Sequence, residues 1–198
     1  MRPLFIALRL SAITLVLTGL LYPLVLTGLA QGLFPGRANG SLVRDEKGQV
    51  VGSELIGQPF TAPLYFQPRP SAAGAGYDPL ASSGSNFGPT SKKLRERIAA
   101  ELARLRRENP DAPAAIPSDL VTASASGLDP HLSPEAARWQ LPRIARARQI
   151  SAERLEALLK SQLEGRDLGF LGEPRVNVLL LNLALDRQFG RPDVPAKT

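Results

Sequence analysis

Between Arg9 and Arg37 the chain carries no charged residue, and the heart of this run, Leu10 to Ala30, reads LSAITLVLTGLLYPLVLTGLA. At about 1.5 Å of rise per residue, about 20 apolar residues cross a hydrocarbon layer about 30 Å thick. The pattern therefore predicts a transmembrane helix over residues 10–32, with residues 1–9 before it and 33–198 after it. Ser11, Thr14, Thr18 and Thr27 can bond their own backbone carbonyls. Pro23 lacks a donor, frees one carbonyl and should kink the helix. A cleaved signal peptide would also begin with Arg2 and Arg9, but its apolar region would be only about 7–15 residues long, which favours an uncleaved anchor. Basic residues flank the run on both sides (Arg2 and Arg9 before, Arg37, Arg44 and Lys47 after, beside Asp45 and Glu46), so charge does not choose an orientation. Gly28 and Gly32, continued to Gly36, have the spacing that lets a second helix approach. They are the candidate membrane-helix contacts, although glycines here equally mark the exit of the span.

Beyond the span the pattern changes to that of a folded domain. Leu42-Val43 and Val50-Val51 around Asp45-Glu46-Lys47-Gly48 predict a hairpin. From Gly57 to Pro89 the chain is rich in Gly, Pro and Ser, yet is punctuated by Phe60, Leu64, Tyr65, Phe66, Tyr77 and Phe87, which predicts a long loop pinned by aromatic anchors. Leu94, Ile98, Leu102 and Leu105 make one apolar stripe on a basic helix starting near Thr90 or Ser91 and ended by Asn109-Pro110. A Pro/Ala connector follows, and Ile116–Thr122 reads as a short extended piece. Ser133 should cap a helix beginning at Pro134, with Pro142 displacing its continuation around Ile144. Ser151 should cap another, with Leu155, Leu158, Leu159 and Leu163 inside. Val176 to Leu185 is almost wholly apolar, too short to span a bilayer, and reads as a core helix or strand, with helix favoured by its Ala and Leu and by Asn177 as a cap. The expected architecture is an α/β soluble domain of the α+β type, attached to one N-terminal transmembrane helix, with its topology open.

Composition narrows the chemistry. Cysteine is absent and His131 is the single histidine, so thiolate catalysis, disulfides and a zinc site of several His or Cys ligands are out of reach. No G-x-S-x-G elbow and no G-x-x-x-x-G-K phosphate loop occurs, and Asp129-Pro130-His131 reads as a turn rather than part of a triad. A membrane-tethered hydrolase would have to build its nucleophile, base and orienter around that one imidazole. The net charge of +6 comes largely from one basic helix and the stretch 138–148, with only 6% aromatic residues, which describes a solvated face that can meet anionic lipid or an acidic partner. It does not describe a stacking platform, so no nucleic acid is expected. Two Gly/Ser clusters, Ser82–Thr90 and Ser124–His131, lead toward helices. They could bind an anion, but serve more simply as tight turns, and together would make a rigid polar docking surface.

These same segments carry a resemblance. Gly52-Ser-Glu-Leu-Ile-Gly-Gln58 with Phe60, Tyr65-Phe-Gln-Pro-Arg-Pro-Ser71, Ser83-Gly-Ser-Asn-Phe-Gly-Pro-Thr90, Pro117 through His131, Gln140 with Arg143, and Gly172 through Asn182 followed by Leu185-Asp186 occur in order over nearly the full length. The chain thereby resembles the C subunit of the bacterial high-affinity potassium-transporting P-type ATPase. The resemblance implies a single-pass protein of the cell inner membrane, with residues 1–9 in the cytoplasm and 33–198 outside it. It implies three protein partners: a channel-like potassium-translocating subunit, a phosphorylated P-type ATPase subunit and a small single-helix subunit. No cofactor is expected on this chain, and ATP is used by the partner subunit. The implied role is non-catalytic: a clamp for assembly that could also cap the outer ion entrance. The alternative is a catalytic chaperone that raises the ATPase subunit's affinity for nucleotide. Arg69 and the turn Ser85, Asn86, Phe87, Gly88 become candidate partner-interface positions. Asp129, Asn177 and Asn182 become fold-determining ones, Asn182 needing partners because an unpaired amide among leucines is costly.

Overall fold

An uncharged run of this length satisfies its backbone only as a helix. The computed structural model, which describes residues 2–45 and 47–191, is helical from Arg2 to Leu33. These 32 residues suffice in length and apolarity to cross a membrane, and none of them is buried by the rest of the chain. The helix is regular over Arg2–Val16 (α1) and Tyr22–Leu33 (α2), with a π-helical turn, Leu17–Leu21, between them. Pro23 explains that turn. It has no N–H for the Gly19 carbonyl, and its ring would press on that carbonyl in a regular helix. The wider turn, closed by the Tyr22 N–H on the Leu17 carbonyl, absorbs the misfit. Thr18 donates its hydroxyl to the Thr14 carbonyl at 2.8 Å, as its type predicts.

The chain divides into two compact units, Met1–Ser53 and Glu54–Thr198. The first contains the long helix, a short helix Pro35–Ala38 (α3) and the expected hairpin, Leu42–Arg44 (β1) antiparallel to Val50–Ser53 (β2). Asp45 organises the hairpin turn by accepting from the Lys47 and Gln49 N–H groups. Glu46 of that turn lies outside the described residues.

The second unit is a helical layer around a small sheet. Lys92–Glu108 (α4) begins at Ser91, whose hydroxyl accepts from the Leu94 N–H, and Leu105 is the most deeply buried position of its stripe. Pro134–Trp139 (α5) is capped by Ser133 as expected, and Leu141–Arg148 (α6) starts afresh with Pro142 in its first turn. Ala152–Ser161 (α7) buries Leu155, Leu158 and Leu159. Ser151 occupies its cap position without a side-chain bond to the helix backbone. Val178–Phe189 (α8) buries Val178, Leu179, Leu181 and Leu185. The sheet has order β3-β5-β4, all antiparallel, from His131–Leu132, Arg175–Asn177 and Leu163–Glu164.

Three expectations are corrected. Residues 118–120 form a 3₁₀ turn rather than an extended piece, because the Asp119 carboxylate turns back to accept from the Ser133 N–H at 2.8 Å. Leu163 leaves the α7 stripe for β4, since that helix ends at Ser161. Val176 stands before the last helix as the middle of β5, while Asn177 caps that helix as expected. The apolar core gathers Phe66, Leu105, Trp139, Ile144, Leu159, Val176, Leu181 and Leu185.

Candidate functional site

Residues 54–91 contain no regular element beyond one 3₁₀ turn, Pro79–Ala81, so side chains must satisfy the backbone of this long loop. Two buried amides do so at its deepest point. Asn182 on α8 accepts from the Phe66 N–H at 2.9 Å and donates to the Phe66 carbonyl at 3.0 Å. Gln140, between α5 and α6, does the same for Gln67 at 2.8 and 2.9 Å. Each amide thus pairs with one residue's backbone as a neighbouring strand would. Arg143, 2% exposed, donates to the Asn109 and Gln140 side chains and to the Pro63 carbonyl, and burial lowers its pKa to about 10. Arg148 holds the Leu64 carbonyl and Asp186 while stacking over the Tyr65 ring at 4.7 Å. The aromatic anchors expected from the sequence are therefore real for Phe66 and Tyr65, and polar groups do as much of the pinning.

The outer half of the loop is locked against residues 122–131. Ser71 donates its hydroxyl to the Gly127 carbonyl at 2.6 Å and accepts from the Tyr77 N–H at 2.8 Å. The Ser83 N–H donates to the Ser126 carbonyl at 2.9 Å, and the Gly57 N–H to the Leu128 carbonyl at 2.7 Å. Backbones approach so closely that a Cβ on Gly57 would meet the Asp129 carbonyl oxygen at 2.7 Å, and one on Gly84 the Ala125 carbonyl oxygen at 2.8 Å. The two Gly/Ser clusters singled out in the sequence are brought together here.

Arg69 and Asp129 form the charged joint of this lock, at 3.0 Å. Asp129 also accepts from the His131 N–H at 3.0 Å, and the His131 Nδ1 lies 3.3 Å from the same oxygen. Burial pushes the Asp129 carboxyl up, but these hydrogen bonds and the Arg69 charge outweigh it, so its pKa is lowered. Tyr77 donates its hydroxyl to the Arg69 carbonyl. Burial, followed by the charge of Asp129, raises its phenol well above the ordinary value and keeps it a donor. The other ring nitrogen of His131, where a triad would present its nucleophile, faces the Glu164 carboxylate at 3.9 Å. An open cleft of about 980 Å³ borders the joint, lined among others by Arg69, Asp119, Asp129, His131, Glu135 and Arg175.

The remaining candidate residues fall in distinct places. Ser85 is half-buried, whereas Asn86, Phe87 and Gly88 form an exposed turn ahead of α4. Asn86 there has φ +50°, and the Phe87 ring lies beneath the Arg97 guanidinium at 5.6 Å. Arg69 is engaged inside the lock, while the Asn86–Gly88 turn is free to be met from outside. Gly28 and Gly32 are open on α2, with no atom within 4 Å of an added Cβ. Asn177 caps α8 through the Leu180 N–H at 3.2 Å and donates to the Glu54 carbonyl at 2.8 Å, tying the start of the long loop to the sheet. Sequence reasoning missed the pairing of Gln67 with Gln140, the hydroxyl bond to the Arg69 carbonyl through which the expected anchor Tyr77 pins the loop, and the cleft. A glutamine beside an aromatic in a Pro-rich loop was the one available signal for the first.

Comparison with known proteins agrees with this whole-length pattern. The family described as KdpC, K+-transporting ATPase, c chain, matches residues 4–187. The "Potassium-transporting ATPase KdpC subunit" of Myxococcus xanthus is 70% identical over 184 residues, 93% of this chain and 87% of the relative. The protein of that name from Caulobacter vibrioides is 57% identical, covering 88% of this chain and 87% of its own. The one from Geobacter sulfurreducens is 53% identical, covering 91% and 95%.

Proposed function

Because the chain belongs to the KdpC family of K+-transporting ATPase C chains, we propose that it is a non-catalytic accessory subunit of an ATP-driven potassium uptake complex. In this reading the helix Arg2–Leu33 anchors the chain in the inner membrane with its N-terminus in the cytoplasm. The domain stands on the outer side, where it clamps a channel-like potassium-translocating subunit to a P-type ATPase subunit beside a small single-helix subunit. ATP is used by the ATPase subunit, and any influence of this chain on nucleotide affinity passes through the assembly.

The observation that carries the reading is the construction of the long loop. A catalytic loop would hold side chains poised around a reacting atom. Here the side chains of Asn182, Gln140 and Ser71 are spent on fixing backbone and Arg69 on pairing with Asp129, while the Asn86–Gly88 turn is left exposed. Preorganised loops of this kind suit protein–protein contact, because little entropy remains to be lost on docking.

The test is purification of the tagged chain from native membranes in mild detergent, with mass analysis of what accompanies it. Near-equal recovery of a channel-like subunit and a P-type ATPase is expected. A membrane-inserted chain recovered alone would overturn the proposal.

A further inference from the structure

Between β4 and β5 the chain makes a tight turn whose chemistry runs against its conformation. Asp167 and Leu171 exchange two backbone hydrogen bonds, each 2.9 Å, and the Phe170 N–H closes on the Asp167 carbonyl at 3.3 Å. The two residues at the tip, Leu168 and Gly169, have φ +54° and +83°. Positive φ at both central positions is the mark of a type I′ turn, whose first position suits Asn, Asp or Gly. A leucine there is strained and gains nothing inside the chain, since Leu168 is 83% exposed. Phe170 and Leu171 beside it are 68% and 49% exposed. Three large apolar side chains therefore stand on a hydrogen-bonded turn, at a conformational cost that nothing among the described residues offsets.

The charges at the base of the projection identify its partner. Arg166 pairs with Glu173 at 2.6 Å, and Arg175 pairs with Glu164 at 2.9 Å and Asp167 at 3.4 Å. Two arginines face three carboxylates, so the base is slightly acidic and both cations are engaged. A tip that dips into an anionic bilayer carries free cations behind its apolar residues, to reach the headgroups. Among the described residues of this turn both cations are already paired. A protein socket, apolar at its centre with a neutral or weakly basic rim, fits the arrangement.

We propose that the turn 166–172 is a plug, with Leu168 and Phe170 as its anchors, that seats in an apolar socket on a partner subunit of the complex. The inference rests on the accessory-subunit reading above and names a surface through which the partner is held. Anchors of this kind contribute out of proportion to their number, because they are rigid and fully desolvated when seated.

The full-length chain carrying Leu168→Asn and Phe170→Ser tests it, compared with the unaltered chain in the same copurification. Asn suits the left-handed position, so the isolated variant in detergent should melt no lower than the unaltered chain. Partner recovery should nevertheless fall about tenfold or more. Recovery within twofold of the unaltered chain would overturn the plug while leaving complex membership intact. Absence of partners from the unaltered chain itself would overturn both. Because the chain has no cysteine, Phe170→Cys supplies a single thiol for a short photo-crosslinker in the native membrane. Adducts to a partner subunit are expected, judged against the cysteine-free chain. Adducts to lipid alone, or none, would overturn the proposal.

Discussion

Asn182 shows what one side chain does in this domain. It sits among Leu179, Leu181 and Leu185, 2% exposed, and both ends of its amide are used on the backbone of Phe66. An asparagine in that setting is not a concession to polarity; it supplies the hydrogen bonds that a strand edge would have given. Leucine is close in size and better suited to a helix, so propensity and apolar burial alone favour Asn182→Leu. The substitution nevertheless strands a buried N–H and a buried carbonyl, each costing about 1–3 kcal/mol, which outweighs any gain. A net loss of about 3 kcal/mol is expected, read from urea or thermal unfolding of the chain in detergent. No loss would mean that the loop finds other partners. Gln140 has the same duty at Gln67 and should behave alike, whereas Asn177, a cap with one further bond, should cost about 1–2 kcal/mol when changed to alanine.

At the scale of elements, the fold depends on two irregular segments held together by close backbone approach. Gly127 is the tightest point, with φ +68° and an added Cβ only 2.6 Å from both the Ala73 nitrogen and the Ser83 carbonyl oxygen. Gly172 has a similar φ, +75°, but nothing within 4 Å. Gly172→Ala should therefore cost only the conformational strain, about 1 kcal/mol, while Gly127→Ala must also push the two loops apart and should cost about 3 kcal/mol or more. A comparison of their melting temperatures separates strain from collision. The charged joint adds a pH dependence. Asp129 has a lowered pKa in the folded chain, so the unfolded chain binds the proton more readily. Its contribution is present in full above the ordinary carboxylate range and is lost as pH falls through the lowered folded value. With the side chain partly exposed, that contribution is at most about 1 kcal/mol. Asp129→Asn should lose stability near neutrality and show a flatter acid limb than the unaltered chain, measured by unfolding between about pH 3 and pH 7.

The same contrast explains what could be read from the sequence. The long helix, α4 and α8 follow from local signals: an uncharged run, a stripe at spacings of three and four starting near Thr90 or Ser91, and a cap at Asn177. The hairpin follows from paired apolar dipeptides around a turn. The strands at His131–Leu132 and Leu163–Glu164 are two residues each, too short to leave a period, and exist because β5 lies between them. The need of Asn182 for partners was legible, but its partner Phe66 lies 116 positions away and no local rule names it. At the candidate interface, the joining of the two Gly/Ser clusters was foreseeable from composition. The engagement of Arg69 with Asp129 inside that joint was not.

For the whole molecule, division into two units has a mechanical consequence. Under the proposed function, a membrane span carrying a docking domain turns the second binding event into an intramolecular one, at an effective concentration on the order of millimolar. Neither unit then needs high affinity by itself, and weakening either should reduce assembly without abolishing it. Gly28 and Gly32 allow the first unit to be probed cleanly. They lie one helical turn apart on α2, and a Cβ added at either has no neighbouring side chain within 4 Å. Gly28→Leu with Gly32→Leu should leave the melting of the isolated chain unchanged or slightly raised, since leucine is the better helix former by about 1 kcal/mol per site. If a partner helix packs on that face, the two leucines hold it away, and recovery of partner subunits should fall several-fold. Combined with Leu168→Asn and Phe170→Ser in the other unit, the losses should multiply, because sites without shared contacts add in free energy. Recovery unchanged by the two leucines would assign the glycines to the exit of the helix and leave the second unit to hold the partners.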